Sequence, residues 1–119
     1  MKIEFTQEGQ SLRLTSDSKP VQFGDNIPVA IAVDTEYSSA TEIVLLTQAY
    51  KSLPARCVLT LSGNTASGTI SRAQLTECGT VNFVLAGKIN NMILPTAAAK
   101  IDVLPSVDPQ SAEFVQNPA

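Results

Sequence analysis

The sequence contains no histidine, so the most common general base of enzymes is missing. Most catalytic triads and most transition-metal sites are excluded with it. A cysteine nucleophile would have no imidazole to help form its thiolate. The loop carboxylates Asp34 and Glu36 do not follow the Asp-x-Asp-x-Asp-Gly spacing of a calcium loop. We therefore predict that the protein is not an enzyme and has no catalytic residue, cofactor or metal site.

Charge and long apolar runs are also scarce. Charged residues make up 16% of the chain and the formal net charge is −3, with no cluster of lysine and arginine. Because phosphate contacts dominate nucleic-acid affinity, we expect no nucleic-acid partner. No run reaches the ~20 apolar residues of a membrane span, and Glu4 and Glu8 interrupt what a signal peptide would require. We expect a chain that folds in a cytoplasm and does not associate with a membrane.

Cysteine is limited to Cys57 and Cys78, too few for a disulfide framework. Cys57 alternates with Leu59 and Leu61, as a buried thiol in a strand does. Cys78 directly precedes Gly79, at the end of a possible helical turn. We predict two reduced structural thiols. The spacing leaves a Cys57–Cys78 disulfide open as the alternative.

Apolar residues do occur, and they alternate with polar ones. This period of two is typical of strands with one buried face. Glycine and asparagine break the runs at intervals typical of a small antiparallel β protein. The chain of 119 residues is the size of one domain. We predict an all-β fold, an antiparallel β-sandwich. The alternating positions are Ile3, Phe5, Leu12, Leu14, Val29, Ile31, Val33, Cys57, Leu59, Leu61, Val81, Phe83, Leu85, Ile101 and Val103.

Three segments depart from simple alternation. In the run from Ala40 to Tyr50, β-branched residues favour a strand over a helix. Ser71, with Gln74 three residues later and Gly79 beyond, predicts one short helical crossover between two sheets. Pro95 predicts an irregularity or an edge position in the last strand.

The interaction candidates lie in loops and at the C-terminus. We divide the chain into a sandwich domain, residues 1–105, and an extended C-terminal arm, residues 106–119. The arm contains one apolar pair, Phe114 and Val115, and we expect it to be ordered by another subunit or a neighbouring protein. Asp34–Ser39 reads as a polar loop with an exposed Tyr37, and Leu53 lies in a loop ended by Pro54. We predict Tyr37, Leu53, Phe114 and Val115 as interface residues.

The C-terminal half carries a family pattern that covers residues 56–118. It consists of Thr69-Ile70-Ser71, then Leu75 to Gly79, a strand from Val81 to Gly87, Thr96, and Lys100 to Ser106. This pattern resembles the N-terminal immunoglobulin-like module of phage baseplate upper proteins, head-fibre proteins and related virion appendages. The strand after Gly79 has fewer aromatic residues than that family usually shows.

The resemblance implies an immunoglobulin-like sandwich without enzymatic chemistry. It also implies a virion structural protein, made in the host cytoplasm, that acts as a capsid decoration, head-fibre base or baseplate subunit. The expected partners are capsid or baseplate proteins, with assembly as a homo-oligomer or in a symmetric array. The alternative is a carbohydrate- or host-surface-binding immunoglobulin-like module. Sugar platforms are usually rich in exposed aromatics, whereas this chain has no tryptophan and only Tyr37 and Tyr50 as tyrosines.

Overall fold

The computed structural model describes residues 2–49 and 52–108. Within these ranges the chain forms nine strands, one short α-helix and one 3₁₀ turn, which confirms the all-β prediction. The strand predicted for the run after Ala40 is also confirmed. No helix in the described ranges is long and apolar enough to cross a membrane. The elements are β1 (Ile3–Glu8), β2 (Ser11–Leu14), β3 (Ile27–Ala32), α1 (Thr35–Ser38), β4 (Glu42–Ala49), β5 (Ala55–Ser62), β6 (Thr65–Ile70), the 3₁₀ turn Arg72–Gln74, β7 (Gly79–Ile89), β8 (Met92–Pro95) and β9 (Ala99–Val103).

The strands form one curled sheet in the order β2-β1-β3-β6-β5-β4-β7, and both β8 and β9 pair with the remaining edge of β7. Strands β1 and β3 are parallel, while every other named strand pair in the described ranges is antiparallel. The expectation of a wholly antiparallel sheet is therefore wrong at this pair. The physical reason is that β2 occupies one edge of β1, and the chain then crosses over to place β3 along the other edge.

Strand β5 is where the sheet bends. Its first residues, Ala55 to Leu59, pair with β4, whereas Thr60 to Ser62 pair with β6. One half of the sheet consists of β2, β1, β3 and β6, and the other of β4, β7, β8 and β9. A strand that leaves one pairing partner for another lets a sheet fold over its own apolar face.

The core lies between these two halves. Phe5 on β1 and Phe83 on β7 are both fully buried, and their ring centroids are 5.6 Å apart. The alternation predicted from the sequence is confirmed along these strands, where every second residue is buried. Aliphatic side chains fill the rest of the core, as expected for a chain with so few aromatic residues.

The predicted helical crossover is present as the 3₁₀ turn between β6 and β7, and it leads from one half of the sheet to the other. The Oε1 atom of Gln74 accepts hydrogen bonds from the backbone N–H of Ser71 at 2.7 Å and from its hydroxyl at 2.8 Å. Gly79 has φ +89°, which a glycine adopts without steric cost. The turn is shorter than an α-helix because the chain enters β7 directly after it.

The irregularity expected at Pro95 is confirmed. Strand β8 ends at Pro95 and β9 begins at Ala99, so the strand along this edge of β7 is interrupted. Within the interruption Thr96 is buried, and its backbone N–H donates to the carbonyl of Leu85 at 2.8 Å. The next residue, Ala97, donates to the carbonyl of Gln10 in the β1–β2 turn at 2.7 Å, which joins the two ends of the curled sheet.

The described start of the C-terminal arm is attached to the domain. Just before the arm, Leu104 forms a parallel bridge with Val21. Within the arm, the backbone N–H of Ser106 donates to Gln22 Oε1 at 3.2 Å. Asp108 forms an ion pair with Arg72. The rest of the arm, with the predicted interface residues Phe114 and Val115, lies outside the described residues.

Candidate interaction surface

The feature that distinguishes this sheet is the apolar surface on its outside. Strands β4, β5, β7 and β8 each direct alternate residues away from the core, and many of these are aliphatic. We call this surface the outer face. Its apolar members are Val44, Leu46, Val58, Val84, Ala86 and Ile93, and its charged members are Glu42, Arg56 and Lys88.

Several of these side chains are well exposed. Val58 is 67% exposed and Ile93 is 73% exposed, while Val44, Leu46 and Val84 are half-buried. Scattered exposed apolar residues are ordinary on a protein surface, but a contiguous group is typical of an interaction site.

The strand register shows that the group is contiguous. Val44 lies between Val58 on β5 and Ala86 on β7, and Leu46 lies between Arg56 and Val84. Side chains directly opposite each other on neighbouring strands have Cβ atoms about 5 Å apart. The outer face is therefore a patch two to three strands wide.

Two shallow pockets lie on the outer face, and Val44 borders both. One, of about 120 Å³, is lined among others by Val44, Ala86, Lys88 and Ile93. The other, of about 250 Å³, is lined among others by Val44, Arg56 and Val58. Ala86, which lines the first of these pockets, is 6% exposed. The surface thus combines projecting aliphatic groups with depressions.

Opposite charges lie at one end of the outer face. Glu42 on β4 is opposite Lys88 on β7. The ion pairs among the described residues are Arg13–Glu8 and Arg72–Asp108, and neither involves Glu42 or Lys88. Both side chains are therefore available to an external partner.

The structure corrects the prediction for Tyr37. It is 2% exposed, because the segment predicted as a polar loop folds into α1 and turns the ring inward. The phenol hydroxyl donates to the carbonyl of Leu94 at 2.9 Å. Burial raises the pKa of the Tyr37 phenol, and the charges of Glu36 and Asp34 raise it further. Tyr37 lies beneath the end of the outer face that carries Glu42 and Lys88, next to Gly87, and does not present an aromatic surface.

Asp34 explains why the helix forms at this position. Its Oδ1 accepts from the backbone N–H of Tyr37 at 3.0 Å, which caps the N-terminus of α1. Its Oδ2 accepts from the backbone N–H of Gly9 at 2.9 Å and from Gln7 Nε2 at 3.0 Å. Burial raises the pKa of Asp34, but these hydrogen bonds lower it by more, so its pKa lies below the ordinary value. The carboxylate therefore links α1 to the β1–β2 hairpin.

Leu53 is 91% exposed, which confirms the predicted exposure. It lies away from the outer face, beside a small pocket of about 30 Å³ lined among others by Ala49, Ala55 and Gln74. The predicted interface residues are thus not brought together. Tyr37 is in the interior, Leu53 is at one end of the sheet, and Phe114 and Val115 lie outside the described residues.

The two cysteines are free. Cys57 is buried, as the alternation predicted, and its thiol donates to the carbonyl of Thr69 at 3.1 Å. Burial raises the pKa of the Cys57 thiol. Cys78 is also free, as predicted, and it is exposed. Among the described residues no group of three metal-ligating side chains could hold an ion.

We did not predict the outer face from the sequence, although the sequence contains a signal for it. Ile43, Val44, Leu45 and Leu46 are consecutive, which indicates a strand with apolar residues on both faces. The alternation on β5 and β7 contains similar second-face residues, Val58 and Val84. Which of these become neighbours depends on strand order and register, and neither can be read from the alternation.

Comparison of the chain with protein-family models gave no match, and comparison with curated proteins gave none either.

Proposed function

We propose that this protein is a non-enzymatic structural module that attaches to other proteins of a phage virion through its outer face. The observation that carries the proposal is the contiguous apolar patch around Val44 and Leu46, bordered by charges of both signs. Protein interfaces commonly have an apolar centre with a polar rim. The patch is a surface of the rigid sheet, so docking on it requires no rearrangement of the fold.

The virion assignment depends on the family pattern in residues 56–118. In phage appendages such a module attaches a protein to the particle, as a capsid decoration, a head-fibre base or a baseplate subunit. The immunoglobulin-like classification belongs to the same proposal. Low overall charge is compatible with a protein that buries much of its surface against neighbours.

The alternative of a carbohydrate- or host-surface-binding module receives no support from the described residues. Tyr37 is one of the two tyrosines of the chain, and its burial removes it from any sugar platform. Tyr50, the other one, lies outside the described residues.

The proposal is tested by measuring incorporation into purified virions. Leu46→Asp places a charge at the centre of the outer face, and we expect its incorporation to fall at least tenfold relative to the unmodified chain. Thr69→Asp is the matched control, because Thr69 is an exposed strand residue on β6 in the other half of the sheet. The control is expected to be incorporated normally.

Circular dichroism of both variants shows whether each is folded. If the unmodified protein is absent from purified particles, the proposal is wrong. If Leu46→Asp is folded and incorporated as well as Thr69→Asp, the outer face is not the attachment surface.

A further inference from the structure

We propose that the outer face binds a second copy of this chain, related by a two-fold axis that runs parallel to β4 and β7 and midway between them. In this arrangement Glu42 of each copy contacts Lys88 of the other. The inference deepens the proposed function and rests on it for its biological role: the virion protein that the outer face attaches to is a second copy of this chain already in the particle. The strand register, the shape and the charges of the outer face support this arrangement.

The register supplies the geometry. Outward residues on β4 and β7 form four opposite pairs: Glu42 with Lys88, Val44 with Ala86, Leu46 with Val84, and Gln48 with Asn82. A two-fold axis between the two strands, lying in the plane of contact, exchanges the members of each pair. Every outward residue of β4 then faces the residue opposite it on β7, but in the other copy. An isologous interface requires this kind of self-complementarity.

The same operation matches apolar residues with apolar residues. Leu46 faces Val84 of the second copy, and Val44 faces Ala86. At the level of Val44, the axis places Val58 on β5 of one copy over Pro95 on β8 of the other. This follows because Val58 is opposite Val44 and Pro95 is opposite Ala86 in the register. No charged residue is placed against an apolar one at this level.

The shape of the outer face fits this pairing. Ala86 and Val44 both line the 120 Å³ pocket, and Ala86 is buried whereas the larger Val44 is half-buried. When the two copies face each other, the larger Val44 side chain of one meets the depression at Ala86 of the other. Interdigitation of large and small residues is what gives a protein contact its packing density.

The charges select a second copy over other occupants. An occupant that covers Glu42 and Lys88 matches them in charge when it places a basic group over Glu42 and an acidic group over Lys88, as the two-fold arrangement does. The segment 109–119 of the chain contains one acidic residue, Glu113, and no basic residue. It could neutralise Lys88 but not Glu42, whereas a second copy neutralises both.

The size of the contact sets its strength. From the level of Glu42 to that of Gln48 is about 20 Å along the strands, and β5 to β8 spans about 14 Å. This is smaller than the ~800 Å² that each partner buries in a standard interface. We therefore expect a pair that forms at high local concentration, as in an assembled particle, with dissociation in the range of about 10 μM to 1 mM.

The test is sedimentation equilibrium of the purified chain up to about 1 mM. The unmodified protein is expected to form dimers reversibly. Glu42→Lys places like charges at both contacts of the pair, and so does Lys88→Glu, so we expect each variant alone to associate at least tenfold more weakly. The control is Glu4→Lys, which makes the same change of charge at an exposed position of β1 and is expected to dimerise normally.

The decisive experiment measures an equimolar mixture of Glu42→Lys and Lys88→Glu. In a mixed pair both contacts again join opposite charges, and dimerisation is expected to return. An effect of the substitutions on the cross-strand pair within one chain could not be reversed by adding a different chain. The inference is overturned if the unmodified chain remains monomeric at every concentration. It is also overturned if both charge-reversal variants dimerise as strongly as the unmodified protein, or if their mixture fails to associate.

These outcomes are separable from those of the proposed function. A monomeric chain whose Leu46→Asp variant is lost from virions leaves the proposed function intact and shows that the outer face binds a different virion protein. A dimer that follows the charge rules but is absent from virions supports the pairing and contradicts the virion role.

Discussion

The hydroxyl of Thr96 accepts a hydrogen bond from the backbone N–H of Leu85 at 3.1 Å, at a site where both residues are buried. Thr96 thus supplies, with its side chain, the acceptor that a regular strand would provide with its backbone. The interruption between β8 and β9 therefore leaves the N–H of Leu85 satisfied.

Replacement of Thr96 tests this arrangement. Thr96→Val keeps the shape but removes the acceptor, so the N–H of Leu85 is left buried without a partner. We expect the free energy of unfolding to fall by about 1–3 kcal/mol. Thr96→Ser retains the hydroxyl and is the control, with an expected loss of about 1 kcal/mol for the missing methyl group. Urea denaturation measures both, and equal losses would show that the hydroxyl has no special role.

Asp34 predicts a loss of stability in acid. Its pKa in the folded protein is below the ordinary value of 3.8, so its contribution is fully present above that value. The contribution disappears as the pH falls through the folded pKa, because the protonated carboxyl accepts more weakly from Gly9, Gln7 and Tyr37. Asp34→Asn is expected to be less stable at neutral pH and to lose less further stability on acidification.

The measurement is urea denaturation of this variant and of the unmodified protein from neutral pH to about pH 2, which lies below the ordinary pKa of an aspartate. Asp17→Asn is the control for removing one negative charge, since exposed Asp17 makes none of these hydrogen bonds. If Asp34→Asn and the unmodified protein lose stability in parallel over this range, the assignment to Asp34 is wrong.

Gly87 and Tyr37 are expected to be energetically coupled. A Cβ atom at Gly87 would lie 3.3 Å from Cδ2 of Tyr37 and 3.3 Å from Cβ of Ala40. Gly87→Ala should therefore destabilise the fold by about 1–3 kcal/mol through overpacking. In a Tyr37→Leu background the ring is absent, and the same substitution should cost less.

A double-mutant cycle by thermal or urea denaturation gives the coupling. Additive effects of the two substitutions would indicate that the ring does not limit the space at Gly87.

The free cysteines predict unequal reactivity. Cys78 is exposed, whereas Cys57 is buried and its pKa is raised, so little of it is thiolate at neutral pH. In the folded protein we expect a thiol reagent to modify Cys78 quickly and Cys57 only after unfolding. Mass spectrometry of the labelled chain counts both events. A mass that indicates no free thiol before reduction would instead support the Cys57–Cys78 disulfide left open by the sequence.

Local patterns were enough to predict the strands and their buried faces. The alternation around Cys57 and around Phe83 predicted which side chains enter the core. In a strand with one face exposed to solvent, the buried apolar residues recur at every second position. Ser71, Gln74 and Gly79 predicted a short turn between two strands, because capping and a positive φ are properties of a few adjacent residues.

Tyr37 shows where local reading failed. Its neighbours are polar, which is typical of a loop, but Asp34 caps a helical turn there by accepting from the Tyr37 N–H. The same carboxylate accepts from Gln7 and Gly9, 27 and 25 residues away, and these contacts tie the turn to the β1–β2 hairpin. The parallel pairing of β1 and β3 and the split pairing of β5 are of the same kind. They depend on which segments meet in space, and the period of a strand carries no information about its neighbours.

The sequence by itself determined that this protein is built from strands with an aliphatic core and that it has no histidine chemistry. Both properties follow from residue type and spacing along the chain. The tertiary structure alone decided that Val44, Val58, Val84 and Ala86 form one surface and that Glu42 lies opposite Lys88 at its end. A surface of this kind exists only after strands distant in sequence are placed side by side in a fixed register.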